Sequence, residues 1–199
     1  MINKLPFHKT HFYQTIILVF ICSLSLSGCS KYSNEVLANL TKLKKTKACS
    51  GCDLSGIELI SFDLKNADIS GADLTGANLS KSDLTGANLT DTNLSDADLM
   101  GVNLTGATLT NTNLTGVKLS YANISEVEMS NVILARAKMN NAKVVNSSIN
   151  YSDMNGANLY NANLTDTRVS DKTLKDTILC QTIMPSGQTE NRSCRRSVL

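Results

Sequence analysis

The 199-residue sequence predicts an all-β solenoid, a chain wound in short flat sides around an apolar axis. Three observations predict it. Every fifth residue from Leu54 to Leu179 is apolar, and these 26 successive positions hold 18 Leu, 3 Ile, 3 Met and 2 Val. Two residues before many of these centres stands a small side chain, as at Ala67, Ala72, Ala77, Ala87, Ala97 and Ala107. Two residues after them stands Gly, Asn or Asp at 19 of the 26 positions, among them Gly71, Gly76, Asp91, Gly106, Asn111 and Gly156.

In a chain that is 42% hydrophobic, such a run arises by chance with odds on the order of 10⁻¹⁰, so the repeat is real. Its period excludes the ordinary elements. A helix turns roughly 100° per residue, so steps of five scatter the centres around its surface. A flat strand alternates faces, and an odd step flips each centre to the opposite side. The chain must therefore bend once per repeat. Residues two apart on a strand share a face, so centre and preceding small residue both point inward, and the Gly, Asn or Asp supplies the corner geometry. If four such sides close a square, one coil takes 20 residues and the run makes about six and a half coils, a rod on the order of 30 Å long at strand spacing.

Read from the N-terminus, residues 1–28 form an export signal. Lys4 and Lys9 precede a short apolar stretch around Ile16-Ile17-Leu18-Val19-Phe20-Ile21, too short for a membrane span. Leu26-Ser27-Gly28-Cys29 resembles a bacterial lipobox. That resemblance implies cleavage before Cys29, lipidation of its thiol, and a lipid anchor in a bacterial membrane, with the chain held in the cell envelope. Ser30 after the cysteine is compatible with outer-membrane sorting.

Residues 29–48 read as a lipidated linker and a capping helix. Asn34 is placed to cap it, and Val36, Leu37, Leu40 and Leu43 form one apolar stripe at helical spacing. Such a helix covers the open edge of a first coil. Lys42, Lys44, Lys45 and Lys47 at its end favour the helix C-terminus, form a solvated face or meet anionic lipid.

Residues 49–179 are the repeat. Ala72-Asp73-Leu74-Thr75-Gly76 and Ala87-Asn88-Leu89-Thr90 resemble the A(D/N)LXX consensus of the pentapeptide-repeat family. The resemblance implies a right-handed quadrilateral β-helix over most of the mature chain. The pattern weakens after Ser120, where Met129, Met139, Val144 and Met154 take centres, and Lys172 falls at an inward position. The regular rod is therefore expected to end near Ser170 or to distort in its last coil.

Residues 180–199 form a C-terminal cap or tail, and Leu179–Gly187 looks like a segment that follows such repeats in related proteins. Once Cys22 leaves with the signal and Cys29 is lipidated, four thiols remain, paired locally at the two ends of the rod. An oxidising compartment favours disulfides, and Cys180–Cys194 with Cys49–Cys52 is the preferred pairing of three. Redox exchange or half of a zinc site at Cys49-x-x-Cys52 are the alternatives.

The net charge of +2 hides an asymmetry. Residues 30–48 carry five Lys and one Glu, residues 53–98 nine acids and two Lys, and residues 99–179 six acids and seven bases. Stacking sets Asp53 over Asp73 and Asp63 over Asp83, a weak cation site, a basic-partner surface or plain solubilising consensus. Both histidines, His8 and His11, lie in the signal, and there is no Trp and no phosphate loop. With a solid core and no imidazole, catalysis is not expected, nor any cofactor or metal. Ile60, Met100, Tyr121 and Tyr160 project from one side in steps of twenty and form a candidate contact strip for an unidentified protein partner. Hydroxyl columns such as Thr75, Ser95 and Thr115 could bind ice but follow the consensus.

The expected function is a non-enzymatic envelope lipoprotein whose rod is a scaffold or protein-interaction surface. The alternative comes from the resemblance: some relatives resemble duplex DNA in shape and charge and bind DNA gyrase. Here the acid excess is confined to the first coils and the export signal separates the chain from a cytoplasmic target, so no nucleic-acid partner is expected.

Overall fold

The computed structural model describes residues 31–194. The signal at 1–28 and the lipidation site Cys29 lie outside the described residues.

The polypeptide begins with helix α1 (Asn34–Thr46). Its cap is Ser33 rather than Asn34. Ser33 has extended backbone and its hydroxyl accepts the Val36 N–H at 3.1 Å, while Asn34 is already helical. Lys47 turns left-handed at the other end and returns its N–H to the Leu43 carbonyl at 2.9 Å. Val36 and Leu43 are buried, Leu40 packs against the core, and Asn39 Nδ2 donates to the Asp53 carbonyl at 3.0 Å. Three of the four stripe residues thus pack on the first coil, whereas Leu37 is exposed.

From Ala48 the chain winds in coils of 20 residues. Parallel bridges join the residue before a centre to its counterpart 20 residues later in four columns, which start at Ala48, Asp53, Glu58 and Asp63. Within a column, Leu74 N–H donates to the Asn93 carbonyl at 2.7 Å, and Asn93 N–H donates back to Ala72 at 3.0 Å. Each side is only two or three residues long, because a corner follows every centre. At one corner Ala77 N–H bonds the Leu74 carbonyl at 3.0 Å and Gly76 between them has φ +64°. Positive φ recurs at every fifth residue from Gly51 to Asp166, whatever the side chain, including Tyr121, Glu126, Arg136 and Tyr151.

Every centre from Leu54 to Leu164 is buried. Burying each Leu contributes about 1.5–3 kcal/mol before chain entropy opposes it. Inward positions that hold a hydroxyl instead of Ala are satisfied by one recurring bond to a centre carbonyl 23 residues earlier, except at Thr177, whose hydroxyl donates to the Leu174 carbonyl at 2.6 Å. Thr92 donates to Ile69 at 3.0 Å, Thr112 to Leu89 at 2.8 Å and Ser147 to Ile124 at 2.8 Å.

The column through Glu128 becomes a three-stranded parallel sheet of β1 (Glu128–Ser130), β2 (Ser148–Asn150) and β3 (Arg168–Val169). The chain then leaves the ladder. Ser170 to Thr177 make irregular turns, and neither Asp171 nor Asp176 has positive φ. Lys172, expected inward, is exposed as a result: the backbone detours rather than bury an ammonium in the axis. Leu174 still reaches the core. The ladder resumes at Ile178 on Asn158 and ends at Ile183 on Asn163. It therefore runs a little past both ends of the expected 49–179. β4 (Thr182–Ile183) folds back as a hairpin on β5 (Thr189–Glu190), and Ser193 N–H bonds the Leu179 carbonyl at 2.9 Å, so the tail closes the last coil.

Candidate interaction surface

With the axis filled, every chemically available group faces outward, and the corners decide how. The Asp or Asn before each centre accepts the N–H two residues on, as Asp73 does from Thr75 at 2.9 Å, which fixes the carboxyl or amide against the wall. Asparagines then ladder between coils: Asn113 Nδ2 donates to Asn93 Oδ1 at 3.2 Å and Asn123 Nδ2 to Asn103 Oδ1 at 3.3 Å. These residues are occupied in building the surface.

The acidic first coils are partly neutralised in place. Lys47 Nζ sits 3.2 Å from Asp63, and Lys65 Nζ 3.2 Å from Asp83, so the stacked Asp63 and Asp83 each have a cation. Lys118 pairs with Asp98 at 3.2 Å. Asp53 and Asp73, bridged in register, are held instead by Ser55 and Thr75. The carboxyls of Asp53, Asp63, Asp68 and Asp83 are all pulled below the ordinary carboxylate range, by the Ser55 N–H, the Lys65 N–H, the Ser70 hydroxyl and the Thr85 hydroxyl respectively. Among the described residues no three His, Cys, Asp or Glu side chains converge as a metal site, and no helix is long and apolar enough to cross a membrane.

Ile60, Met100 and Tyr160 occupy one column, directly after a centre, and Tyr121 stands at the adjoining corner. Ile60 is 45%, Met100 43% and Tyr121 66% exposed, while Tyr160 is half-buried. Polar Ser80, Ser120 and Asn140 come between them, so the strip is interrupted. Sequence reasoning passed over Tyr151, which is 91% exposed. Its signal was present: it is an aromatic at a corner where most repeats carry Gly, Asn or Asp.

The four cysteines form two disulfides, one at each end. Cys49 and Cys52 take the centre and next inward positions of the first coil, across a corner, with Cα atoms 5.4 Å apart. Cys180 joins Cys194, with Cα atoms 4.7 Å apart, and ties the tail to the last coil.

The family model for pentapeptide repeats matches in 8 copies, over residues 49–86, 77–116, 97–135, 112–150 and 128–166. No curated protein matches the chain. Solved structures do. HetL, a pentapeptide repeat protein involved in heterocyst differentiation regulation from the cyanobacterium Nostoc sp. strain PCC 7120, is 26% identical over 72% of this chain and 81% of that one, with a TM-score of 0.33. QnrB1, a plasmid-mediated fluoroquinolone resistance protein, is 20% identical over 70% of this chain and 77% of its own, with a TM-score of 0.48. Rfr23 from the cyanobacterium Cyanothece 51142 is 23% identical over 78% and 99% of the two chains, with a TM-score of 0.29.

Proposed function

The chain belongs to the pentapeptide-repeat family, whose fold is a right-handed quadrilateral β-helix, and from that premise we propose that it is a non-enzymatic rod presenting its outer wall to a protein partner, tethered to the bacterial envelope by lipid on Cys29. The observation that carries the reading is the filled axis. Apolar side chains, most of them Leu and Ala, fill the axis of the described repeats, which supports a rod that acts through its outside. The exposed Ile60, Met100 and Tyr121 are the apolar anchors of the wall on which a partner would rest, with Tyr160 at its far end. The helix α1, packed on the first coil, keeps that edge from pairing with other strands. The tether rests on the lipobox-like Leu26–Cys29.

The gyrase-type alternative has little support in the surface, since Asp63, Asp83 and Asp98 are paired with lysines of the rod itself.

Two measurements test the two halves separately. Palmitate labelling of the wild type and of Cys29→Ala reads the tether, and an unlabelled cytosolic wild-type product overturns it. A photo-crosslinking residue at Met100 is expected to capture one envelope protein, and Tyr121→Glu is expected to abolish capture without lowering Tm. Capture unaffected by Tyr121→Glu overturns the strip.

A further inference from the structure

Where Ser170–Thr177 leaves the ladder, the side of the coil beneath it is left without a partner. In the regular rod, each centre donates its N–H to the coil above, and the inward residue before it accepts one in return. One coil lower this is complete: Leu134 N–H donates to the Asp153 carbonyl at 2.6 Å, Asp153 N–H to the Val132 carbonyl at 3.0 Å, and Asn131 N–H to Asn150 at 3.0 Å. The same three groups in the next coil are Met154 N–H, the Ser152 carbonyl and Tyr151 N–H. None of the three has a partner among the described residues. The residues that would have served are engaged elsewhere: Thr173 N–H bonds the Ser170 hydroxyl at 3.1 Å, and the Ser170 carbonyl accepts Leu174 N–H at 3.2 Å. The column that starts at Asp53 stops at Asp153, whereas the next two columns continue to Ile178 and Ile183.

The gap opens to solvent as a recess of about 1050 Å³. Tyr151 and Met154 line one side, Val169 and Ser170 the adjoining side, and Lys172 and Asp176 of the detour the far wall. Val169 is the one centre of the repeat that is only half-buried.

We propose that this notch is a strand-addition site, which takes an extended segment of another polypeptide by its backbone. The occupant's chemistry follows from the vacant pairing. An acceptor at Ser152 and a donor at Met154 call for a donor and an acceptor on one residue at strand spacing, which an amide backbone supplies and the register of Asp153 on Ile133 illustrates one coil below. The segment runs parallel to the rod's own sides, with Tyr151 flanking its entry. Leu174 already fills the axis, so the segment needs no bulky inward side chain and is recognised mainly by its backbone. The site lies apart from the Ile60–Tyr160 strip and requires no membrane tether, so its failure leaves the proposed function standing.

The test is amide hydrogen exchange by NMR on the whole mature chain, with an acetylated and amidated synthetic peptide of residues 150–157 as probe, since that segment pairs in this register within the rod. In the free protein, the Tyr151 and Met154 amides are expected to exchange at least tenfold faster than their counterparts Asn131 and Leu134. Saturating peptide is expected to slow both at least tenfold, and the same peptide N-methylated at its Asp is expected to have no effect. Amides already as protected as Asn131 and Leu134 would mean that the chain's own Ser170–Thr177 fills the gap. That result overturns the proposal, as does an absence of protection by the peptide or equal protection by its N-methylated form.

Discussion

The corner residue carries the largest conformational demand in each repeat, and it can be isolated by substitution. Gly76 has φ +64° and open space around an added Cβ, so Gly76→Ala tests backbone geometry alone and is expected to cost about 1 kcal/mol. At Gly86 the new Cβ would also come 2.5 Å from Asn66 Oδ1, so Gly86→Ala is expected to cost more. The converse holds at Tyr151, which has φ 52° and is almost free of contacts. Tyr151→Gly is expected to raise stability by about 0.5–1 kcal/mol in urea melts, and a lower midpoint would contradict the assignment of strain to that corner. Inward residues respond oppositely. Leu104 is fully buried mid-rod, and Leu104→Lys places an unpaired ammonium in the axis at a cost on the order of 5 kcal/mol, comparable to the whole stability of a domain. Loss of cooperative melting and of β-type circular dichroism is expected. A wild-type melt would mean that the side chain does not face the axis.

At the scale of elements, the two ends are fastened differently. The Cys180–Cys194 bridge closes a loop of 14 residues' separation and holds β5 and the tail across the last coil. In the chain-entropy picture its loss costs about 3 kcal/mol. The double variant Cys180→Ser/Cys194→Ser is therefore expected to unfold at clearly lower urea, with the amides of Leu179 to Ile183 losing protection first. Uniform loss along the rod would show instead that the ends are not separate units. Cys49–Cys52 spans one corner inside the first coil, so replacing it with Leu and Ala, the pair used by Leu74 and Ala77, restores the ordinary repeat. That change is expected to be far milder. Thiol counting on the oxidised mature protein is expected to find these four cysteines unreactive, and four reactive thiols would remove both fastenings.

Over the whole molecule, the acidic coils link stability to pH. Asp53, Asp63, Asp68 and Asp83 all have carboxyl groups held below the usual range in the folded state. A folded pKa below the unfolded one stabilises the fold above the unfolded value, and that contribution disappears as pH falls through the folded values. Tm is therefore expected to hold between pH 7 and 5 and to fall below about pH 4. Because the described residues carry no histidine, a transition near pH 6 would have to come from some other source. Added salt is expected to lower Tm only slightly, since the pairs Lys47–Asp63, Lys65–Asp83 and Lys118–Asp98 are all at the surface.

Most of this architecture could be read from the chain because a repeat states its local rule many times. Leu at the centre, Ala before it and Gly or Asn after it declare the inward faces and the corners. The shift from Ala to Thr at 92 and 112 was visible, but its bond to a carbonyl 23 residues back was not, since that bond exists only once coils stack at a fixed rise. Lys172 warned of a fault near the end, yet its form could not be read from one misplaced charge. Periodicity alone determined the axis and a corner in every five residues, the resemblance to the pentapeptide-repeat family implied the four-sided coil of twenty, and the caps were read from the amphipathic segment before the repeat and the cysteines at its ends. Only the tertiary structure decided that Asp63 and Asp83 find lysines, that the cap of α1 is Ser33, and that the ladder breaks over Tyr151–Met154 and resumes at Ile178. The physical reason is range: inward burial is fixed by neighbours two to five residues away, whereas pairing between coils depends on groups some twenty residues apart that meet only when the chain has closed its square.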